Sequence, residues 1–108
     1  MSDPAMAVIK MPGTPGKEQS LATVYWNTIN KDVYVMPNKL PQPAKGKQFQ
    51  LWALGDGQPV DAGLLDPFCE GACKMKNVPK AQAFAITLEN EGGSRTPTMD
   101  EMFVFGKV

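Results

Sequence analysis

The sequence predicts an all-β, antiparallel chain of about seven short strands in one domain. Three observations carry this. Apolar and polar residues alternate through several short runs, and almost nowhere do apolar residues recur at helical spacing. Those runs also concentrate the β-branched and aromatic residues. Most of the ten prolines and ten glycines fall between them, where turns need residues that end strands or accept positive φ.

Met1-Ser2-Asp3-Pro4 reads as a linker end or an expression-vector remnant. Residues 1–19 are taken as an N-terminal strand and linker, and 20–108 as the domain proper. Ala5 to Lys10 is a first strand, broken by Pro12-Gly13-Thr14-Pro15-Gly16. Leu21 to Asn27 is a strand with Ala22, Val24 and Trp26 on one face. Asn30-Lys31-Asp32 turns it into Val33–Met36, forming a hairpin. Pro37 to Gly46 begins with three prolines in seven residues. It lacks donors for a ladder and is read as a crossover or edge segment.

Lys47 to Leu54 is the organising strand. Phe49, Leu51 and Ala53 share one side; Gln48, Gln50 and Trp52 share the other. Asp56-Gly57 is a turn signal, and Val60 to Leu64 is the return strand. Trp52 is expected on the hairpin's outer face. Leu65 to Pro79 is irregular, with room for a short helical turn at Cys69–Met75. Gln82 to Glu89 is a strand with Phe84, Ile86 and Leu88 inward. Residues 90–98 are turn-rich, and Met102 to Val108 closes the chain. This pattern is that of a single antiparallel β-sandwich, immunoglobulin-like, with a closed barrel as the alternative.

Composition narrows function. Formal net charge is zero. Residues 1–54 hold six lysines against three acids, and residues 55–108 five basic residues against eight acids. Neither half has a nucleic-acid footprint. No apolar run approaches a membrane span, and no leader-like apolar stretch opens the chain. Histidine is absent. That removes imidazole general bases, Ser-His and Cys-His pairs and the usual zinc or copper sites.

Cys69-Glu70-Gly71-Ala72-Cys73 has several readings. A copper loop would use soft sulfur ligands with Met75 nearby, but lacks histidine. A redox dithiol lacks the C-x-x-C spacing. A local disulfide in an oxidising compartment needs only the bend that Gly71 allows, and two free thiols are also open. Trp26, Trp52, Tyr25 and Tyr34 form either an aromatic platform or core and cross-strand pairs. Gly92-Gly93-Ser94 lacks the setting of a phosphate cradle and reads as a positive-φ turn. Asp61, Asp66, Asp100 and Glu101 read as solvated surface, with no calcium-loop spacing.

Five segments occur in a telling order: Val24-Tyr25-Trp26-Asn27; Leu40-Pro41; Lys47-Gln48-Phe49-Gln50-Leu51-Trp52-Ala53; Pro59-Val60-Asp61-Ala62-Gly63; and Phe84 to Glu89 with Gly92-Gly93-Ser94 and Pro97-Thr98. Together they resemble the C-terminal domain of anti-sigma factors of the anti-sigma-K (RskA) type. Phe49 stands where Tyr is commoner in that family. Asp61-Ala62-Gly63 and Met102 to Val108 are similar to versions from Bacteroidetes-like bacteria.

The resemblance marks Trp26, Gln50, Leu51, Trp52, Asp61, Ala62, Gly63, Glu89, Gly92, Gly93, Ser94 and Pro97 as motif residues with structural roles. It implies a periplasmic regulatory domain, non-catalytic and without cofactor or metal. The parent protein would be membrane-anchored and would control an extracytoplasmic-function sigma factor. The sigma factor would be bound by a cytoplasmic segment and the membrane by a transmembrane helix, neither of which is in this chain. A periplasmic protease or sensor protein would be the local partner, and regulated proteolysis the output. Residues 37–46 and 65–79 would be the segments readiest to open. The alternative is a stand-alone extracytoplasmic β-sandwich that binds carbohydrate, peptide or copper.

Overall fold

The computed structural model describes residues 5–108; the reading of Met1 to Pro4 falls outside them. Eight strands follow in order: β1 (Met6–Pro12), β2 (Leu21–Asn27), β3 (Val33–Lys39), β4 (Lys47–Leu54), β5 (Val60–Leu64), β6 (Cys73–Lys74), β7 (Ala83–Asn90) and β8 (Met102–Lys107). A single 3-10 turn, Met99–Glu101, precedes β8. The strands form two four-stranded antiparallel sheets, ordered β1-β2-β3-β6 and β5-β4-β7-β8. The all-β sandwich expected from the sequence is therefore present, with the two-residue β6 added to the strands read from the sequence.

Period-two alternation builds the core. Ile9 and Met11 of β1, Ala22, Val24 and Trp26 of β2, and Val33 and Val35 of β3 face the second sheet. Phe49, Leu51 and Ala53 of β4 meet them, with Phe84 and Ile86 of β7 and Val104 of β8. Trp26 crosses the layers to pack edge-on against Phe84, with ring centroids 5.6 Å apart. Its indole N–H donates to the Val78 carbonyl at 2.9 Å, so the polar end of a buried ring is satisfied.

Two details of the ladder correct the sequence reading. Pro37 lies inside β3, not in the crossover. The β2–β3 register slips between Leu21 and Thr23, and this bulge absorbs a residue that cannot donate. The crossover proper is thus residues 40–46. No helical turn forms at Cys69–Met75; Cys73 and Lys74 instead pair with Val35 and Tyr34.

Both open sides of the sandwich are stitched. On one side, β1 runs against β8. Gly13 bridges Val104, and Thr14 donates its backbone N–H to the Phe103 carbonyl at 3.0 Å. The approach is close enough that a Cβ on Gly106 would lie 2.4 Å from the Lys10 carbonyl oxygen and 2.9 Å from Met11 Cγ. On the other side, a strap from Leu65 to Val78 spans the gap. Consecutive amides reach opposite sheets: Met75 N–H donates to the Val33 carbonyl of β3 at 2.8 Å, and Lys76 N–H to the Ala62 carbonyl of β5 at 2.9 Å. Leu65, Met75 and Val78 are buried beneath it.

Replacing Gly106 by alanine should destabilise the chain by about 1–3 kcal/mol, because backbone and core atoms must both move. Gly55, whose added Cβ would meet nothing closer than 3.8 Å, is the control. Its alanine variant should stay within about 0.5 kcal/mol of the parent. Urea midpoints of the three proteins check this.

Candidate functional site

Strand β4 sends Gln48, Gln50 and Trp52 away from the sandwich core, and β7 sends Ala85, Thr87 and Glu89 the same way. The register places Trp52 beside Ala85, Gln50 beside Thr87 and Gln48 beside Glu89. An outward sheet face is ordinarily solvated. Here Trp52 and Thr87 are fully buried, and Gln50 and Glu89 nearly so. The expectation of a solvent-facing Trp52 is corrected: it is fully buried, and residues 92–98 lie across the neighbouring Gln48, Gln50 and Glu89 of this face.

The cover is held by hydrogen bonds from the strands. Gln50 treats Ser94 as a strand partner: its Nε2 donates to the Ser94 carbonyl at 3.1 Å, and its Oε1 accepts the Ser94 N–H at 2.9 Å. The second Nε2 proton goes to Asp61 Oδ1 at 2.9 Å. Gln48 accepts the Gly92 N–H. Trp52 Nε1 donates to the Thr87 hydroxyl at 2.8 Å, and that hydroxyl donates to Glu89 Oε2. Glu89 then binds Thr98 twice, from its backbone N–H at 2.8 Å and its hydroxyl at 2.7 Å. Among the described residues, no buried side-chain nitrogen or oxygen lacks a partner.

Backbone geometry explains the glycines. Gly92 and Gly93 have φ of 95° and 91°, a region open to glycine. A Cβ on Gly93 would sit 3.0 Å from Leu64 Cδ2 and 3.2 Å from Gln50 Oε1. Asp61-Ala62-Gly63 is a β-bulge: Trp52 pairs with Asp61 and Leu51 with Gly63, leaving Ala62 as the extra, core-facing residue. Gly63 has φ of 118° and donates to Asp61 Oδ1 at 2.9 Å. Asp61 is thus only partly the solvated acid the sequence suggested: its side chain is 37% exposed, yet both oxygens have partners. It ties Gln50, the bulge and, through a 2.6 Å ion pair, Lys76 of the strap.

Burial works against the charge on both carboxylates, yet their donors outweigh it. Thr87 and Thr98 hold Glu89 below the ordinary glutamate value, and Lys76, Gln50 and the Gly63 N–H hold Asp61 below the ordinary aspartate value. Glu89 accepts three hydrogen bonds, two on Oε2 and one on Oε1, and is almost wholly shielded from solvent, a setting that holds a loop rather than one that meets a substrate. Beside the covering loop, Gln50, Asp61, Leu64, Lys76, Ser94 and Arg95 line an open concavity of about 440 Å³.

Gln50, Trp52, Asp61, Gly63, Glu89, Gly92, Gly93 and Ser94 converge on this covered face. Pro97 sits half-buried within the loop, directly before Thr98. Leu51 and Ala62 lie in the core, and Trp26 lies there too, bonded to the strap. Cys69 and Cys73 are joined in a disulfide. Their sulfurs are therefore not a thiolate pair for copper, and Met75 is buried in the core. The aromatic platform fails as well: both tryptophans are buried, while Tyr25 and Tyr34 pair across β2 and β3. Among the described residues, no three His, Cys, Asp or Glu side chains cluster as a metal site. Sequence reading gave no role to Thr87, and quoted Thr98 only as part of a motif. The signal for Thr87 was the outer face of β7, Ala83-Ala85-Thr87-Glu89, which is too small and too poorly charged for a solvated surface.

Known proteins match this chain. The family model for the C-terminal domain of anti-sigma-K factor RskA matches residues 1–102. A Streptomyces griseus protein described as uncharacterised, in the phr 5′ region, is 36% identical over 73 residues, 66% of this chain and 30% of its own length. The anti-sigma-K factor RskA of Mycobacterium sp. (strain KMS) is 29% identical over 80 residues, 71% of this chain and 33% of its own length. The chain thus spans about a third of each of these relatives. No solved structure matches it.

Two outcomes follow. Gln50→Glu removes both amide donations and turns a carboxylate toward the Ser94 carbonyl and Asp61. It should cost about 3 kcal/mol and raise amide exchange through residues 92–98. Because the folded Glu89 and Asp61 titrate below their ordinary values of 4.5 and 3.8, the stability they contribute is complete above those values. It is lost as pH falls through the lower folded ones. The urea midpoint should therefore hold level down to about pH 5 and then drop, with a shallower drop in the Asp61→Asn/Glu89→Gln double variant.

Proposed function

The chain belongs to the family of the C-terminal domain of anti-sigma-K factor RskA, and on that footing we propose that it is the non-catalytic regulatory domain of a membrane-anchored anti-sigma factor. In this reading the domain lies on the extracytoplasmic side. An extracytoplasmic-function sigma factor is bound by a cytoplasmic segment of the parent protein outside this chain. Among the described residues, no helix is long and apolar enough to cross a membrane, so anchoring is assigned to a segment outside this chain as well.

The observation that carries the non-catalytic part is the use made of the motif residues. Most of the family-marked polar and glycine positions pin a loop or shape a bulge, and their hydrogen-bonding groups are occupied by one another. A domain built this way presents a stable or an opened state, which is what a gate for proteolysis requires. The Cys69–Cys73 disulfide supports the oxidising compartment. The folded domain would deny a periplasmic protease access to the chain near the membrane, and its opening would release the sigma factor. The binding-module reading draws no comparable support, since its copper ligands and its tryptophan platform are both unavailable.

The test uses the full reading frame that contains this chain, expressed beside its sigma factor and a reporter promoter. Removing residues 5–108, or introducing Gln50→Glu, should raise reporter output severalfold and yield a shortened membrane fragment on immunoblots. Unchanged output and an intact parent protein in both variants would overturn the gating role.

A further inference from the structure

The strap is the less regular of the two seams, and a disulfide stands at its entrance. Strand β6 has two residues, and beyond it the strap is held by isolated bonds rather than a ladder: the Met75, Lys76 and Val78 amides donate to the Val33, Ala62 and Lys31 carbonyls, the Asn77 side chain to the Asn30 carbonyl, Lys76 pairs with Asp61, and Trp26 donates to Val78. Cys69 and Cys73, four positions apart, are bonded just before these contacts begin. The two sulfurs differ in setting: Cys73 is buried in the core, whereas Cys69 is only half-buried.

Phe68, next to the accessible cysteine, is 88% exposed. Its position is built. Phe68 N–H donates to Asp66 Oδ1 at 2.8 Å and Cys69 N–H to the Asp66 carbonyl at 3.1 Å, forming a turn that fixes the backbone of Phe68 immediately before Cys69. A lone exposed apolar residue ordinarily needs no explanation. One set by a turn immediately before a half-buried, disulfide-bonded cysteine offers an apolar handle next to the residue where exchange would occur.

We propose that Cys69–Cys73 is a thiol–disulfide exchange site that latches the strap, and that its partner is a protein dithiol of the oxidoreductase class, seated on Phe68. This does not depend on the regulatory reading. A thiolate of the partner attacks Cys69 Sγ, the S–S bond breaks, and Cys73 leaves as a thiolate that takes up a proton. The partner's second thiol attacks the mixed disulfide, and Cys69 leaves and is protonated. Two electrons pass from the dithiol, which becomes a disulfide, to the pair on the strap. The freed turn then no longer fixes β6. Met75 and Val78 can leave the core, and the 65–78 segment becomes a cleavable loop while β7 and β8 stay paired.

The test times reduction of the purified, folded chain by alkylation and intact mass. Reduced thioredoxin and a small dithiol are compared at equal thiol concentration. Thioredoxin should act at least about tenfold faster. Phe68→Ala should remove most of that advantage while leaving the small dithiol's rate unchanged. The reduced, alkylated chain should be cut within residues 65–78 about tenfold faster than the oxidised chain, with amide exchange in β7 and β8 unaltered. Equal rates for both dithiols, or equal rates for the parent and Phe68→Ala with thioredoxin, would overturn the docking site. A reduced chain as resistant to protease as the oxidised one would overturn the latch.

Discussion

The Gln50 amide and the Glu89 carboxylate lie on the outside of a sheet and yet out of water. Groups of this kind are tolerated only when each donor and acceptor has a partner. The partner here is one segment of chain, residues 92–98, laid across the strands. Much else follows from that demand. The segment must reverse within two residues, hence Gly92 and Gly93 at positive φ. It must present Ser94 as a backbone pair and Thr98 as a double donor. Strand β5 must turn Asp61 toward Gln50, which the bulge at Ala62 accomplishes. A buried indole, Trp52, joins the same chain of bonds through Thr87.

The sandwich also manages its edges without leaving long unpaired strands. Open sheet edges invite pairing with other chains. The β1 edge is joined to β8, and β3 and β5 are joined through the strap. The two seams differ in kind. At the first, backbone meets backbone so closely that Gly106 has no room for a side chain. At the second, a single segment hangs between two sheets on isolated hydrogen bonds, with one ion pair and one disulfide besides. Local opening is expected where fewer strands share the load, and that is the strap.

The fold was legible because alternation and turn chemistry are local. The faces of β2, β4 and β7 could be assigned from Val24, Leu51 and Ile86 alone, and the Asp56-Gly57 turn from two residues. What covers a face is not local. Nothing near Trp52 in sequence says that residues 92–98 return over the face it shares with Gln50, so period two assigned it to solvent. Asp61 failed for the same reason: its partners Gln50 and Lys76 come from other segments. Pro37 was legible as a break in the ladder but not as a bulge, because the register slip belongs to β2 as much as to β3. The cysteine pair could be narrowed to a short set of readings, and geometry chose among them. The motif order pointed to the family; only the structure showed that its scattered residues share one hydrogen-bonded network.

The seam between β1 and β8 has a consequence in time. Thr14 hydrogen-bonds a carbonyl 88 residues further on, so the first strand cannot finish its contacts until the last has been made. Contacts so distant in sequence slow folding. While the chain is emerging from a ribosome or a translocation channel, β1, β2 and β3 can pair with one another, but Ile9, Met11 and Val24 have no opposing layer. That layer is supplied piecemeal, by β4, then β7, and is complete only when β8 adds Val104 beside β1. The cell that makes this chain must therefore shelter part of an apolar face until nearly the end of synthesis.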